Sequence, residues 1–593
     1  MNAPPVGSPK ADLSSRSIHA PIVEKEIKLR KQDAKSAAAL VASRRFSELA
    51  ARVLAARGYT PGPELDRFLE ATLKAGVDSP DKLMGLSEAA ELLASNIDAG
   101  IGVCCDFDVD GLSGGAQLAS FLSALKVPFE VFVPDRFEDG YGLNEKMVHA
   151  IVSKGFKVLV CVDYGTTSVK ELTLARAKGL KTVVVDHHHV ESKPPPCDVF
   201  INPQQRGCGF AGKTLCASGL VWYLVMRLRR VLENRLKESG AKIETRDFLE
   251  LACLGTVCDL VPLVQTNRVI AKKGLEALTH TARPGLTAMK KLMGVTGEVS
   301  CFDVSFGIGP RINAAGRMVN GSSVIELLTT QDAARAPAIA KQLHELNAER
   351  QEAEAFVKDA ALEVLRDRGD LPAGVVVWRE DFHTGVIGIV AQRLVEMFYR
   401  PSIVLGADKD GVFKGSVRGV KGFSVVGALS DCGEFLIKYG GHEAAGGLSV
   451  HEENLESFAM RFAEICVERL GEAPRPPVAE ADTVAQLSEV SIDSVNELKS
   501  FAPFGMGNPT PTVLLEKMRV QSLKVLKDAH LKIILSQGTG AINAFMWRRT
   551  EHPLVREGSV VDVVCKLDIN TFQGNESVQA TVEAVRAAAG SRR

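Results

Sequence analysis

The sequence predicts an α/β protein: a doubly wound parallel-sheet domain, a long connecting helix, a second α/β domain and a C-terminal β-barrel. Three observations predict it. Short β-branched runs alternate with helical segments from Ile101 onward. A charged stretch free of Pro and Gly, Ala338–Arg368, then reads as one long helix. Beyond it, Thr512–Val585 alternates apolar and polar residues with strand period, as in Val560–Leu567.

The elements follow in order. Met1–Lys10 is Pro-rich and polar and lacks the apolar core of a signal peptide. From Ile22 to Gly58 the pattern is helical and charged, turning apolar around Phe46, Leu49 and Val53. Pro61 and Pro63 mark a turn, and Glu64–Leu73 and Leu86–Ala99 read as further helices. Ile101–Cys105, Phe129–Val133, Val158–Val162, Thr182–Val185 and Val199–Ile201 read as strands, with helices such as Ala116–Leu125 and Ser168–Lys178 between them. A parallel sheet places ligands at the carboxyl ends of its strands, and Asp106, Asp163 and Asp186 each fall just past one. Phe248–Val257 is an apolar helix that delivers Asp259. Pro337 and Gly369 bound the long helix. A second α/β unit starts at Val375–Trp378 and runs to about Leu470; Glu472–Val478 is a Pro-rich linker before the barrel.

Bulk properties exclude some classes. Of 593 residues, 46% are hydrophobic and 24% charged, an ordinary globular composition. The net charge of −1 leaves nucleic-acid binding open, because a basic groove can be offset by acidic ligands elsewhere. The 12 cysteines form no CxxC pair, and Cys104, Cys105, Cys161, Cys253 and Cys258 sit in apolar runs, as reduced core thiols do. No apolar run reaches the roughly 18 residues of a membrane span, so a cytoplasmic protein is expected.

The chemistry concentrates in acidic residues. Asp106, Asp108 and Asp110 alternate in DFDVDG, so three anions lie within a few ångströms and raise one another's pKa unless a divalent cation compensates them. Gly111 is expected to make a tight turn into the next helix, whose N-terminus favours anions. A capped turn or a calcium-loop mimic would fit the same spacing. Asp163 is a helix cap or a ligand; its position suits a carboxylate shared between two metals. Asp186, His187, His188 and His189 end a strand; adjacent Asp and His suit Mn²⁺ or Mg²⁺, with His187 ligating and His188 donating to a phosphate oxygen. Asp259 adds one more carboxylate.

The order DxDxDG, then Asp, then DHH, then a later Asp resembles the DHH phosphoesterase superfamily. Further segments narrow the resemblance to RecJ-type single-strand-specific 5′→3′ exonucleases: VPDRFEDGYGLN at 133–144, GTVCDLVPLVQTNR at 255–268, GPRINAAGR at 309–317, HTGVIGIVAQRL at 383–394, GSVRG at 415–419, GGHEAAGG at 440–447 and PFGMGN at 503–508. The resemblance covers roughly residues 45–585 and implies the following domains: an N-terminal extension, partly disordered, at 1–45; a DHH catalytic domain with N-terminal helices at 46–330; a connecting helix at 331–370; a DHHA1 domain at 371–471; and an OB-fold nucleic-acid-binding domain at 472–593. It implies two Mn²⁺ or Mg²⁺ ions held by Asp106, Asp108, Asp110, Asp163, His187 and Asp259, with Asp186 and His188 close by. The sequence departs from the family at Phe107 and Val109, at the third histidine His189, and at Gly419.

The same resemblance assigns substrate contacts. Arg136, then Arg311, Asn313 and Arg317 in a Gly- and Ala-rich loop, and Ser416 and Arg418 in another, Gly-bounded loop, would grip the 5′ phosphate and strand backbone, since Arg suits bidentate phosphate contact. Each Arg could instead make a surface salt bridge. His442, in a Gly-rich loop, would contact the scissile phosphate, or pack the loop. Phe545, Trp547 and Phe572 are the visible candidates for stacking on bases; Phe545 and Trp547 share a strand face and could equally be core. The implied activity is two-metal hydrolysis of single-stranded DNA from the 5′ end to mononucleotides, in recombination and repair. The implied partners are single-stranded DNA, a single-stranded-DNA-binding protein and a RecQ-type helicase, with the protein a monomer. Alternatives are a DHH-type small-nucleotide phosphoesterase, an inorganic pyrophosphatase or a non-catalytic DNA-binding scaffold. The first two need no barrel, and the third should have lost ligands that are all present.

Overall fold

A computed structural model gives the fold and describes residues 23–135, 140–190, 193–318, 321–369, 371–408, 411–472 and 476–588. Arg136, the first 22 residues and part of the Pro-rich linker lie outside the described residues. The chain forms two compact units, Ile27–Gln351 with Ala479–Arg593, and Glu352–Val478.

In the first unit, five parallel strands run in the order Phe129–Phe132, Ile101–Cys105, Val158–Val162, Lys181–Val185, Val199–Ile201. Ile101–Cys105 and Val158–Val162 are buried at every position, as strands covered on both faces must be. The order reverses between these two strands, and a crevice opens outside their carboxyl ends at such a switch point. Asp106 and Asp163 are the first residues past those ends.

Gly111 makes no turn. The helix Val109–Ala124 begins two residues earlier, with Asp108 as its N-cap accepting from the Asp110 and Gly111 N–H groups. A Cβ on Gly111 would lie 2.6 Å from the Asp106 nitrogen, so the residue is small to let the helix start close over the strand end. The segment 309–317, expected as a loop, is the helix Gly309–Met318. Its small residues allow close packing: a Cβ on Gly316 would lie 2.6 Å from the Phe107 carbonyl.

The barrel strands run Thr483–Ala485, Thr512–Leu526, His530–Gln537, Gly540–Met546, Asn575–Ala587, Val560–Phe572, and Thr512–Leu526 also pairs with Val560–Phe572 to close five of them. The N-terminal helices Glu48–Ala56 and Pro63–Glu70 were expected with the catalytic domain. Their apolar faces instead join the barrel core, where Leu49, Val53, Leu54 and Phe68 pack with Leu498, Phe501 and Val513. Residues 22–58 also hold a short strand, Glu26–Leu29, that the helical reading did not include.

The second unit has a mixed sheet in the order Leu436–Gly441, Ala445–His451, Val412–Arg418, Ser402–Ala407, Val375–Arg379, parallel only between the last two. Ser416 and Arg418, expected in a Gly-bounded loop, lie on a strand. The glycine that suggested a loop is small for another reason: a Cβ on Gly415 would crowd Leu405 at 2.9 Å and Leu448 at 3.0 Å. The long helix runs Ala336–Arg368, and Pro337 sits in its first turn, where its missing N–H costs nothing. All twelve cysteines are free; burial raises the thiols of Cys105 and Cys161, as in reduced core cysteines. Among the described residues, no helix is long and apolar enough to cross a membrane.

Candidate metal centre

Four backbone devices converge on the crevice. The first is the strand end at Cys105, which presents Asp106; its Oδ1 accepts from the Phe107 N–H at 2.8 Å. The second is the helix start at Asp108. It is secured by Asn313, whose Oδ1 accepts from the Val109 N–H at 3.1 Å. The third is the N-terminus of the helix Ala217–Val231. Its first two N–H groups, Ala217 and Ser218, donate to the two oxygens of Asp110 at 2.7 and 2.8 Å. A helix N-terminus favours an anion there and fixes its orientation. The fourth is the C-terminus of the helix Leu249–Cys258, which ends on Asp259. A Cβ on Gly255 of that helix would overlap Ser218 Oγ and Asp110 Oδ1, so glycine lets the two helices close around Asp110.

Asp163 sits at φ +69°, in the left-handed region that Asp tolerates better than most side chains. That conformation turns its carboxylate into the crevice. Asp163 Oδ1 lies 3.2 Å from His187 Nε2, and the same nitrogen lies 3.8 Å from Asp110 Oδ2 and 3.7 Å from Asp259 Oδ2. Three sets of potential ligand atoms, each within 4.8 Å of one another, result: Asp106, Asp108 and Asp163; Asp110, His187 and Asp259; and Asp163, His187 and His188.

The electrostatics fit a cation. Burial first, then the neighbouring carboxylates, push Asp163 and Asp108 above the usual carboxylate range, and Asp259 up to about 8. Asp163 Oδ1 is buried with no hydrogen-bond partner. Buried polar atoms are rarely left so, and an unpaired carboxylate oxygen among like charges wants a metal. Burial holds the His187 imidazole below its usual pKa, so it is neutral and its lone pair is available.

Asp186 differs from the others. Burial opposes its charge, but the His188 side chain and the Thr166 N–H overcome that and hold the carboxyl low. Its Oδ1 is 2.7 Å from His188 Nδ1 and also accepts the His187 and His188 N–H groups at 2.7 and 3.2 Å. It therefore braces the DHH loop from behind. Asp186→Asn is expected to keep the fold and lower Mn²⁺ affinity by about 10-fold or more, as loss of a carboxylate behind a metal ligand does, measured by Mn²⁺ titration of the purified variant.

Other expected residues fall as follows. Arg311 donates to the Gly307 carbonyl at 2.7 Å and to His344 Nδ1 at 3.2 Å. Arg317 lies on the same helix. Ser416, Arg418 and His442 belong to the second unit. There, Arg418 donates to Ser416 Oγ at 2.9 Å, and a Cβ on Gly388 would meet both side chains at 3.0 Å, so the N-terminus of the helix Ile387–Phe398 closes on the pair. His442 is exposed in the turn joining Leu436–Gly441 to Ala445–His451. On the barrel, Phe545 and Trp547 stack at 5.5 Å with planes 11° apart, and Trp547 is half exposed. Phe572 is exposed at a hairpin end.

Two contributors escaped the sequence reading. Tyr141 donates its hydroxyl to the Asp163 carbonyl at 3.2 Å and sets its ring edge-on to Phe107 and His188. The small-residue helix start at Ala217 and Ser218 gave no charged signal, although Gly-, Ser- and Ala-rich helix starts are where anions dock.

Comparison with known proteins finds likenesses along most of the chain. The DHH family N-terminal domain matches residues 100–256, the DHHA1 domain 371–468 and the RecJ OB domain 481–584. The single-stranded-DNA-specific exonuclease RecJ of Bacillus subtilis is 32% identical over 545 residues, 91% of this chain and 68% of its own length. That of Haemophilus influenzae is 32% identical over 90% of this chain and 95% of its own. Among solved structures, Thermus thermophilus RecJ in complex with Mn²⁺ aligns with a TM-score of 0.79 at 28% identity, covering 95% of this chain and 79% of that one.

Proposed function

This chain belongs to the RecJ family of single-stranded-DNA-specific exonucleases, and from that premise we propose that the cluster around Asp163 is the catalytic centre of a hydrolase working from the 5′ end. The protein is a metal-dependent phosphodiesterase acting on single-stranded DNA, using Mn²⁺ or Mg²⁺. The observation that carries the site assignment is the buried Asp163 Oδ1, without a hydrogen-bond partner, which belongs to two of the three ligand sets.

Asp106, Asp108 and Asp163 would hold one ion and Asp110, His187 and Asp259 the other, with Asp163 Oδ1 3.2 Å from His187 Nε2 between them. Bound there, the pair supplies Lewis-acid polarisation of the phosphoryl group and a lowered pKa for water. The protein's own groups do the rest. Asp110 is oriented by two backbone N–H groups, so it needs no rearrangement when substrate arrives. His188 is held protonated by Asp186, its pKa raised to about 9 against the pull of burial. With Nδ1 committed to Asp186, its Nε2–H is the group left to donate to a phosphate oxygen. Asn313 acts on the ligand loop through Val109, so it positions rather than binds.

Ser416, Arg418 and the adjoining helix N-terminus form an anion pocket suited to a terminal 5′ phosphate. Arg311 and Arg317 are proposed to contact the 5′ phosphate and strand backbone, and His442 a phosphate of the bound strand. The stacked Phe545–Trp547 pair, with Lys532 Nζ 6.0 Å from the Phe545 ring centroid, offers a platform for bases. We extend the reading to a cytoplasmic monomer acting beside a single-stranded-DNA-binding protein and a RecQ-type helicase, which the family likeness supports.

Incubation with Mn²⁺ and 5′- or 3′-labelled single strands, matched duplex and a dinucleotide tests the reading. Mononucleotides released from the 5′ end of the long strand, with duplex spared, are expected. Cleavage of the dinucleotide alone would replace the exonuclease with a small-nucleotide phosphoesterase.

A further inference from the structure

The catalytic reading leaves two sequence motifs without work: PFGMGN at 503–508 and the stretch that follows Asp259. In the structure they touch each other. The chain leaves Asp259 through Leu260 at φ +56° and enters the next helix through Gln265 at φ +46°. Two left-handed non-glycine residues bracket a four-residue connection, and such backbone persists only where the surroundings impose it.

The barrel module does the imposing. The Leu263 N–H donates to the Met506 carbonyl at 2.7 Å. A Cβ on Gly507, itself at φ +75°, would lie 3.1 Å from Pro262 Cβ and 3.3 Å from Val264 Cγ1, so the loop lies flat against the 262–264 backbone. Arg268, 2% exposed, anchors the loop from the other side. It donates to the carbonyls of Phe501 and Ala502 at 2.9 Å each, of Pro503 at 3.3 Å and of Phe68 at 2.6 Å, with its guanidinium 3.9 Å over the Phe68 ring. Asn508 closes the loop on itself, donating to the Phe501 and Pro503 carbonyls at 3.0 and 2.9 Å. Asn267 carries the linkage onward: its amide donates to the Pro262 carbonyl at 3.0 Å and to the Thr214 carbonyl at 2.9 Å. Thr214 lies three residues before Ala217, whose N–H holds Asp110.

We propose that the 503–508 loop is a positioning strut for Asp259: the nucleic-acid-binding module, docked through Arg268, sets where the connection after Asp259 runs and so completes the Asp110–His187–Asp259 half of the metal centre. The inference rests on the assignment of Asp259 as a ligand. It predicts a selective defect, because Asp106 and Asp163 follow strand ends and Asp108 caps a helix start, none of them on the connection that the loop contacts.

The test is Mn²⁺ titration of the full-length protein without DNA, read by electron paramagnetic resonance, with far-UV circular dichroism as a folding control. Wild type should show two classes of bound ion. Gly507→Ala, which places a methyl against Pro262 at positive φ, should weaken one class by about tenfold and leave the other within about twofold. Its affinity for single-stranded DNA in chelator should be unchanged. If Gly507→Ala does not fold, Arg268→Lys, which keeps the charge but loses the forked carbonyl contacts, should show the same selective loss. Both classes unchanged in a folded variant, or both weakened equally, overturns the strut. Asp259→Asn separates the two ideas: no effect of that variant on either class removes the ligand assignment itself, whereas a selective loss there with Gly507→Ala at wild-type affinity removes only the strut.

Discussion

Asp163→Asn should abolish strand cleavage while leaving the metal-free protein at least as stable as wild type. The carboxylate belongs to two of the three ligand sets, one with Asp106 and Asp108 and one with His187 and His188, so its loss removes an oxygen from the first ion position and the acidic neighbour 3.2 Å from His187 at the second. Several kcal/mol of transition-state charge stabilisation go with it, and at 1.36 kcal/mol per decade the rate should fall by at least about 10³-fold. Stability moves the other way. Asp163 is buried among Asp106, Asp108, Asp110 and Asp186, which raise its pKa, so an amide of the same shape relieves repulsion in the absence of metal. Asparagine also tolerates the φ of +69° that the position demands. A steady-state nuclease assay beside a thermal melt in chelator checks both halves. Retained activity would remove Asp163 from the shared role; a collapsed melting temperature would make its role structural.

Removing metal has the second large effect, and it depends on pH. Asp108, Asp163 and Asp259 have raised pKa values in the folded chain, the last at about 8, against an unfolded value near 3.9. Between those values the folded state binds more protons than the unfolded one, so the stability of the metal-free protein falls as pH rises. His188, raised to about 9, adds to the decline above its unfolded value near 6.5. His187, held low by burial, opposes it only below that value. Mn²⁺ must displace these protons, so its stabilisation grows over the same window. Saturation at a hundredfold over Kd adds about 2.7 kcal/mol per site. Melting curves with chelator and with Mn²⁺ at pH 6 and pH 8 should diverge more at pH 8; an equal gap at both would mean that the carboxylates are already ionised and paired without metal.

Much of the centre was legible because its logic is local. An Asp immediately past a buried strand is a sequence pattern, and three strands of one parallel sheet bring such residues to one edge whatever their spacing. Asp259 was legible because an apolar helix ends on it. Contacts at long range were not. Arg57 pairs with Asp482, 425 residues away, and Phe68 packs on Phe501. No local pattern says that the helices of residues 48–70 belong to a barrel more than 400 residues later, so they were grouped with their nearest neighbours in sequence. Glycine misled in three places for one reason. Gly111, Gly316 and Gly415 looked like loop residues, but none has positive φ; each is small because another chain segment passes within 3 Å of its missing Cβ. Glycine for conformation and glycine for clearance are the same letter, and only the packing separates them.

The proposed metal centre takes two divalent ions into this cluster. Anomalous diffraction from crystals of the full-length protein soaked in Mn²⁺ tests it most directly. Two peaks are expected, one among Asp106, Asp108 and Asp163 and one among Asp110, His187 and Asp259, with Asp163 adjoining both. A single peak away from Asp163, or none at a concentration that supports cleavage, would contradict it.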